Sequence, residues 1–522
     1  MLGRLLIITA FLISGCTSQI SPSTADAKLQ NQNNTAAAEF SISVAPPLHD
    51  AMASEGRIFL FLSKNDTSEP RQQLWPLSEN PNFIFAKNFT FGSATSTITL
   101  NQASDLMTTA SFDLSEIPKG QYSMQVLWHQ NPSLPYINAE GNLYSEVAVI
   151  DIDSDFTEIV ELSKRVPATS LVNHPLVKKV TFKSELLSEF WQEPFYISAS
   201  VLLPNTYEQN SQQTYPIRYN VAGYGGRYTR VERLINSEDF MQWWQSDEAP
   251  QIITVYLDSL GPFGDNYQLD SANNGPFGQS LVSELIPTVE AQFRTKNSAT
   301  YRFTDGCSTG GWVSLALQLF YPDTFNGAFS YSPDSIDFSA YQLANIYEDA
   351  NVFYNRWGNL RPVARTVYGD PIITLKNFIQ YENVQGVSND YRTSGGQFSA
   401  HTALYSPKGE DGLPMPMFDP QTGAIDREVA EAWKKYDLKL FTEQNWSELG
   451  PKLQDKIYIW MGDMDHFFLN PATRKFAQYL EGTTNPTSNA VIDFTPMAGH
   501  CSKFSDKLVL EQIQTRLLAI DK

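Results

Sequence analysis

Three cysteines and six histidines in 522 residues are too few for a disulfide-dense scaffold, and neither residue type is gathered into a cluster. Basic residues are also in deficit, with 37 Lys and Arg against 57 Asp and Glu and a formal charge of −20. Such a field repels polyanions, so nucleic acid is not expected as a partner. Beyond residues 5–13 there is no long apolar run, and nine or so apolar residues do not span a bilayer. What is present is a 42% hydrophobic content, which specifies a globular chain, and a length that exceeds one ordinary domain. Two domains are therefore expected.

The first residues combine Arg4, the apolar stretch 5–13 and then Ile13-Ser14-Gly15-Cys16. A charged start, a short apolar core and small residues make an export signal. The stretch resembles the lipobox of bacterial lipoproteins, which implies removal of residues 1–15, acylation of Cys16 and tethering to a membrane. Thr17 rather than Asp follows the cysteine, which in that family's sorting rule favours the outer membrane, facing the periplasm or the surface. Residues 16–39 are rich in Ser, Asn, Gln, Thr and Ala, and read as a flexible tether.

Residues 40–165 have a β texture. Alternating runs such as Ile58-Phe59-Leu60-Phe61-Leu62 and Tyr122-Ser123-Met124-Gln125-Val126 are separated by Pro, Asn, Ser and Gly clusters. They predict a β-sandwich-like domain without convincing helices. His49 and His129, which fall here, have no second ligand type at metal spacing. In residues 166–522 strands alternate with helices. Strands are predicted at 177–182, 196–203, 217–222, 251–257, 302–305, 328–331, 456–461 and 491–495, and helices at 231–244, 279–293, 312–320, 426–441, 471–480 and 503–520. This alternation specifies a mostly parallel sheet covered on both faces, with ligands at the carboxyl ends of its strands. The alternation lapses over 332–455, a span rich in aromatic and turn residues that reads as a cap insertion.

One stretch carries chemistry. Tyr301-Arg302-Phe303-Thr304-Asp305 leads into Gly306-Cys307-Ser308-Thr309-Gly310 and then into a helical run. A strand, a tight Gly-x-Ser-x-Gly turn and a helix make the nucleophile elbow of an α/β-hydrolase, with Ser308 as nucleophile. A serine hydroxyl needs a base, and the base needs an acid, in the chain order Ser, acid, His. Downstream histidines are His401, His466 and His500; His500 follows the last strand and precedes the last helix, so it is the candidate base. The acid is expected in the loop Gly462-Asp463-Met464-Asp465-His466, where the residues alone leave Asp463 and Asp465 both open. This Asp-x-Asp-His cluster lacks further ligands at metal spacing. Charge on the carbonyl oxygen needs preset donors: the Thr309 amide is one, and Tyr224 or Gly225 of Gly223-Tyr224-Gly225-Gly226 the other.

The segments Gly275-Pro276-Phe277-Gly278, Glu284-Leu285-Ile286-Pro287, Gly306 to Gly311, Tyr321-Pro322-Asp323, Ser332-Pro333-Asp334 and Gly462-Asp463-Met464-Asp465-His466-Phe467 together resemble the esterase D-like and enterochelin esterase-like branch of the α/β-hydrolases. The acid loop of that branch is similar to Gly-x-x-Asp-x-Phe, which implies Asp465 as the acid. The pairs Cys307-Ser308 and His500-Cys501 resemble the bridged Cys-Ser and His-Cys arrangement of tannases and feruloyl esterases, and imply a Cys307–Cys501 disulfide. If nucleophile and base meet, their neighbours fall within bridging range; two unpaired thiols are the alternative. The leading reading is a lipid-anchored serine hydrolase that cleaves a small-molecule or glycan-linked carboxylic ester through an acyl-enzyme, with no cofactor. An acyltransferase or serine peptidase uses the same triad, and a non-catalytic lipoprotein that binds a glycan or a partner is the third reading.

Overall fold

The structure, a computed structural model, describes residues 35–520 apart from 78, 79, 94 and 132. The predicted leader, Cys16 and most of the tether lie outside the described residues.

Nine strands of one sheet come first: β1 Ala38–Val44, β2 Glu55–Ser63, β3 Phe83–Thr90, β4 Ile98–Leu100, β5 Met107–Thr108, β6 Gly120–His129, β7 Leu143–Ser145, β8 Ala148–Ile152 and β9 Phe156–Arg165, while Thr35–Ala36 and Ile117–Pro118 pair apart from it. They share a single ladder in the order β4-β1-β9-β7-β6-β2-β3-β5, with β8 paired to β6. Two separate facing layers are therefore not what forms. The short β7 pairs with both β6 and β9, and so joins strands that would otherwise belong to different layers. The sheet curls about its own core, where Ile58, Leu60 and Leu62 of β2 meet Phe40, Val126 and Val160. Successive side chains of a strand point to opposite faces, and Phe59 and Phe61 pack outward against Tyr381 and Val384 of the second half of the chain.

That second half is built on eight strands: β10 Val177–Ser184, β11 Phe195–Leu202, β12 Ile217–Val221, β13 Ile253–Leu257, β14 Arg302–Cys307, β15 Ala328–Tyr331, β16 Ile457–Gly462 and β17 Val491–Thr495. Their order is β10-β11-β13-β12-β14-β15-β16-β17, antiparallel over the first two pairings and parallel thereafter. Every residue of β12 and β13 is buried, as a parallel sheet covered on both faces requires. From β12 the chain crosses to β13 on one side, and from β14 it crosses to β15 on the other. Between the carboxyl ends of β12 and β14 the order reverses, which opens a crevice there. Helix α1, Thr309–Phe320, leaves β14 at that crevice and is apolar nearly all round, because it is sunk between the sheet and the outer helices.

The predicted strands lie within two residues of the observed ones at nearly every end, whereas two long predicted helices are each broken. Residues 231–244 form Val231–Ile235 and Glu238–Trp244, with the Ser237 hydroxyl accepting from the Phe240 amide as the cap of the second. Residues 426–441 divide likewise into Arg427–Trp433 and Leu438–Lys452, with Asp437 capping the latter through the Leu440 amide. The span 332–455 contains a hairpin of Pro362–Arg365 with Pro371–Thr374, then α2, Leu375–Gln385, and α3, Gln397–Tyr405. Helix α2 fastens the two halves together. Its Tyr381 hydroxyl donates to the Asn82 carbonyl (2.5 Å), its Val384 carbonyl accepts from Arg57 (2.9 Å), and Gln385 donates to the Leu74 carbonyl (3.2 Å).

Candidate active site

Ser308 stands between β14 and α1 with φ 62° and ψ −129°, a conformation costly for a residue with a side chain and held only where its surroundings enforce it. Its amide donates to the Tyr331 carbonyl (3.0 Å), which fixes the turn to the neighbouring strand. The flanking glycines are required by contact. A Cβ at Gly306 would lie 2.5 Å from the Gly310 backbone, and one at Gly310 would overlap the Val221 carbonyl.

His500 lies in the loop after β17, between Met497 and Cys501, both at positive φ. Its Nδ1 donates to Asp465 Oδ2 at 2.6 Å, and Asp465, wholly buried, accepts further from the Phe467 (2.9 Å) and Leu469 (3.3 Å) amides through Oδ1. Burial alone would lower the His500 pKa; the adjacent Asp465 charge and its hydrogen bond outweigh that, and the net shift is upward. Asp463 turns away and pairs with Arg474. The other candidate bases have other partners. His401, buried on α3, bonds the Tyr341 hydroxyl (2.6 Å), and His466 accepts weakly from the His500 amide (3.4 Å). His49 and His129 donate to the Val44 and Leu134 carbonyls, at 3.0 Å each.

Cys307 and Cys501 are joined in a disulfide, with Cα atoms 6.0 Å apart, so the strand carrying Ser308 is covalently tied to the loop carrying His500. Ser308 and His500 both line a cavity of about 460 Å³ at the crevice, together with Tyr224, Asp334, Phe398 and Phe467.

Among the described residues, the Thr309 and Tyr224 amides make no hydrogen bond. The Gly225 amide, the alternative donor, is already given to Asp265 Oδ2 (2.8 Å), so of the two candidates in that loop it is Tyr224 that has a free N–H. Gly225 is needed for another reason, its φ of +69°. Asp265 also accepts from the Tyr267 amide (2.9 Å), and its burial pushes the carboxyl up to about 7. Asp334 Oδ2 accepts from the Thr309 hydroxyl (2.9 Å) and the Tyr267 hydroxyl (3.0 Å), and thereby steadies the first turn of α1. Sequence reasoning did not assign Asp265 a role. Asp334 lies in Ser332-Pro333-Asp334, a segment that carried the family resemblance without any function attached to it. Among the described residues no cluster of three or more His, Cys, Asp or Glu side chains is disposed to hold a metal ion.

The family model described as "Putative esterase" matches residues 196–505, more than half of the chain and all of the strands and loops just described from β12 to His500. The chain belongs to this esterase family. It is a carboxylic-ester hydrolase. Solved structures similar to this esterase include a ferulic acid esterase, 15% identical over 65% of this chain and 97% of the other, with a TM-score of 0.40. An S-formylglutathione hydrolase from Agrobacterium tumefaciens is 12% identical over 66% and 96%, with a TM-score of 0.40. Another, from Staphylococcus aureus, is 14% identical over 66% and 99%, with a TM-score of 0.36.

Proposed function

We propose that the esterase works through Ser308, His500 and Asp465 by way of an acyl-enzyme. The observation that carries this reading is the 2.6 Å bond from His500 Nδ1 to a buried Asp465, with His500 sharing one cavity with a strained serine. His500 accepts the Ser308 proton on Nε2 as the oxygen attacks the ester carbonyl, and Asp465 holds the tautomer that leaves Nε2 free. The Thr309 and Tyr224 amides stabilise the oxyanion, each donor of this kind being worth about 3 kcal/mol of barrier. His500 then returns the proton to the departing alcohol, and water repeats the sequence on the acyl-enzyme to release the acid. Residues 332–455 act as the cap, since Asp334, Tyr341, Val363, Phe378 and Phe398 from that span all line the cavity. Residues 40–165 form a separate β domain.

The substrate is a small-molecule or glycan-linked ester, and the protein is exported and held at a membrane, the bacterial outer membrane, by a lipid on Cys16. A disulfide beside the nucleophile accords with an oxidising compartment. A fluorophosphonate probe tests the chemistry: wild type should be labelled at Ser308, and Ser308→Ala should be folded, unlabelled and inactive on simple esters. Labelling that persists in the variant, or a folded wild type that never labels, overturns the assignment.

A further inference from the structure

The cavity wall is not made by the hydrolase half alone. Trp75 and Leu77, from the loop between β2 and β3, line the same cavity as Ser308 and His500. Trp75 is 45% exposed, although an indole gains most from burial, so core packing does not account for where it stands. It meets two rings, Tyr224 at 5.9 Å and Phe378 at 5.6 Å between centroids, both edge-to-face, and both rings also line the cavity.

The loop is held from both sides. Gln73 bonds the Ser63 hydroxyl (2.7 Å) and the Ser68 carbonyl (2.7 Å), and Leu74 accepts from Gln385 of α2 (3.2 Å). The outward face of β2 is sealed against Tyr381 and Val384 of that same helix, so the N-terminal sheet positions the loop relative to the catalytic sheet. Phe378 sits one turn before Tyr381 on α2, hence one helix faces the N-terminal sheet with some residues and the cavity with another.

From this arrangement we infer that Trp75 is a substrate-binding residue donated by the N-terminal domain, and that it provides a platform for a flat ring carried by the ester. This rests on the ester-hydrolase reading above and extends it to a class of substrate. The wall offers a ring the apolar Phe398, Phe467 and Val363, beside the polar Arg230, Arg233, Gln342 and Gln397, and an exposed indole is available for stacking. Trp75 meets the side chain of Tyr224, whose amide is the proposed oxyanion donor, and shares the cavity with Ser308.

The test uses the whole mature protein as wild type, Trp75→Ala and Trp75→Phe. Three esters are compared: ethyl acetate, without a ring; benzyl acetate, with a ring on the alcohol; and methyl cinnamate, with a ring on the acid. Trp75→Ala should raise KM for at least one ring ester about threefold to tenfold, clearly more than it changes KM for ethyl acetate, and be rescued by Trp75→Phe. Equal losses on all three esters, or no change in KM for either ring ester, would overturn the inference. So would a wild type that is labelled at Ser308 yet turns over neither ring ester. A folded wild type that neither labels nor cleaves any ester removes the catalytic reading, and this inference with it.

Discussion

Asp463 and Asp465 are two positions apart, yet one carboxylate meets Arg474 near the surface and the other meets His500 in a buried site. Asp465→Asn should lower kcat about 10⁴-fold, because an amide in that position selects the wrong imidazole tautomer, whereas Asp463→Asn should stay within a few-fold of wild type. Steady-state kinetics on one simple ester decides between them. The base works only when neutral, and the His500 pKa is raised in the folded protein, so activity should fall away on the acid side through a pKa above the free-imidazole value of 6.5. Measured kcat/KM against pH locates that limb; a limb well below 6.5 would exclude an Asp465-paired base. At this scale the sequence was readable wherever chemistry fixes spacing along the chain, as in the serine turn. It was silent where a role depends on what a side chain reaches. Nothing local to Asp265 says that its carboxylate takes the Gly225 amide, and nothing in Gln73-Leu74-Trp75 says that the indole arrives in a cavity otherwise lined, Leu77 apart, by residues from Ala222 to His500.

Strands and helices were legible in different degrees. Strand limits came out well because buried parallel strands are continuous apolar runs bounded by turn residues, as in β12 and β13. Helices were over-extended where a cap residue interrupts an apolar pattern that continues past it, as Ser237 and Asp437 do. The curl of the first sheet was not legible, since pairing between β7 and β9 is a long-range choice that alternation does not encode. An element contact equally invisible from sequence is the buried cluster in which Arg218 of β12 bonds Asp305 of β14 (2.7 and 2.6 Å) and Asp506 (2.8 Å), the first residue of the final helix. Arg218→Ala leaves two buried carboxylates without their cation and should lower stability by about 3–5 kcal/mol, read as a reduced denaturant midpoint. A variant within 1 kcal/mol of wild type would show that water reaches and compensates both acids.

For the molecule as a whole, stability should respond to pH through buried acids. Glu382 of α2 accepts from the Phe398 (3.0 Å) and Ser399 (3.1 Å) amides at the start of α3, and burial pushes its carboxyl up to about 7 from an ordinary 4.5. Between those values the folded protein binds more protons than the unfolded chain, so this contribution is complete below pH 4.5 and is lost as pH rises through 7, a change of about 3 kcal/mol. Burial lowers the His129 and His466 pKa values and acts in the opposite sense, so the informative quantity is the difference between wild type and Glu382→Gln. Denaturation midpoints from pH 5 to 8 should fall less steeply in the variant; parallel curves would mean that Glu382 is ionised throughout. The change of texture near residue 166, where one sheet gives way to the other, was legible, but the mutual burial of Phe59, Phe61, Tyr381 and Val384 was not, because each half reads as self-sufficient when its residues are taken in order.

The bond between Cys307 and Cys501 spans 194 positions and makes the chain between them a closed covalent ring. That ring contains Ser308, Asp465, His500 and the whole excursion from 332 to 455. A protease that nicks any exposed loop inside it therefore yields two fragments that still travel together on a non-reducing gel and part only when a thiol is added, so an intact band under those conditions is no proof of an uncut polypeptide.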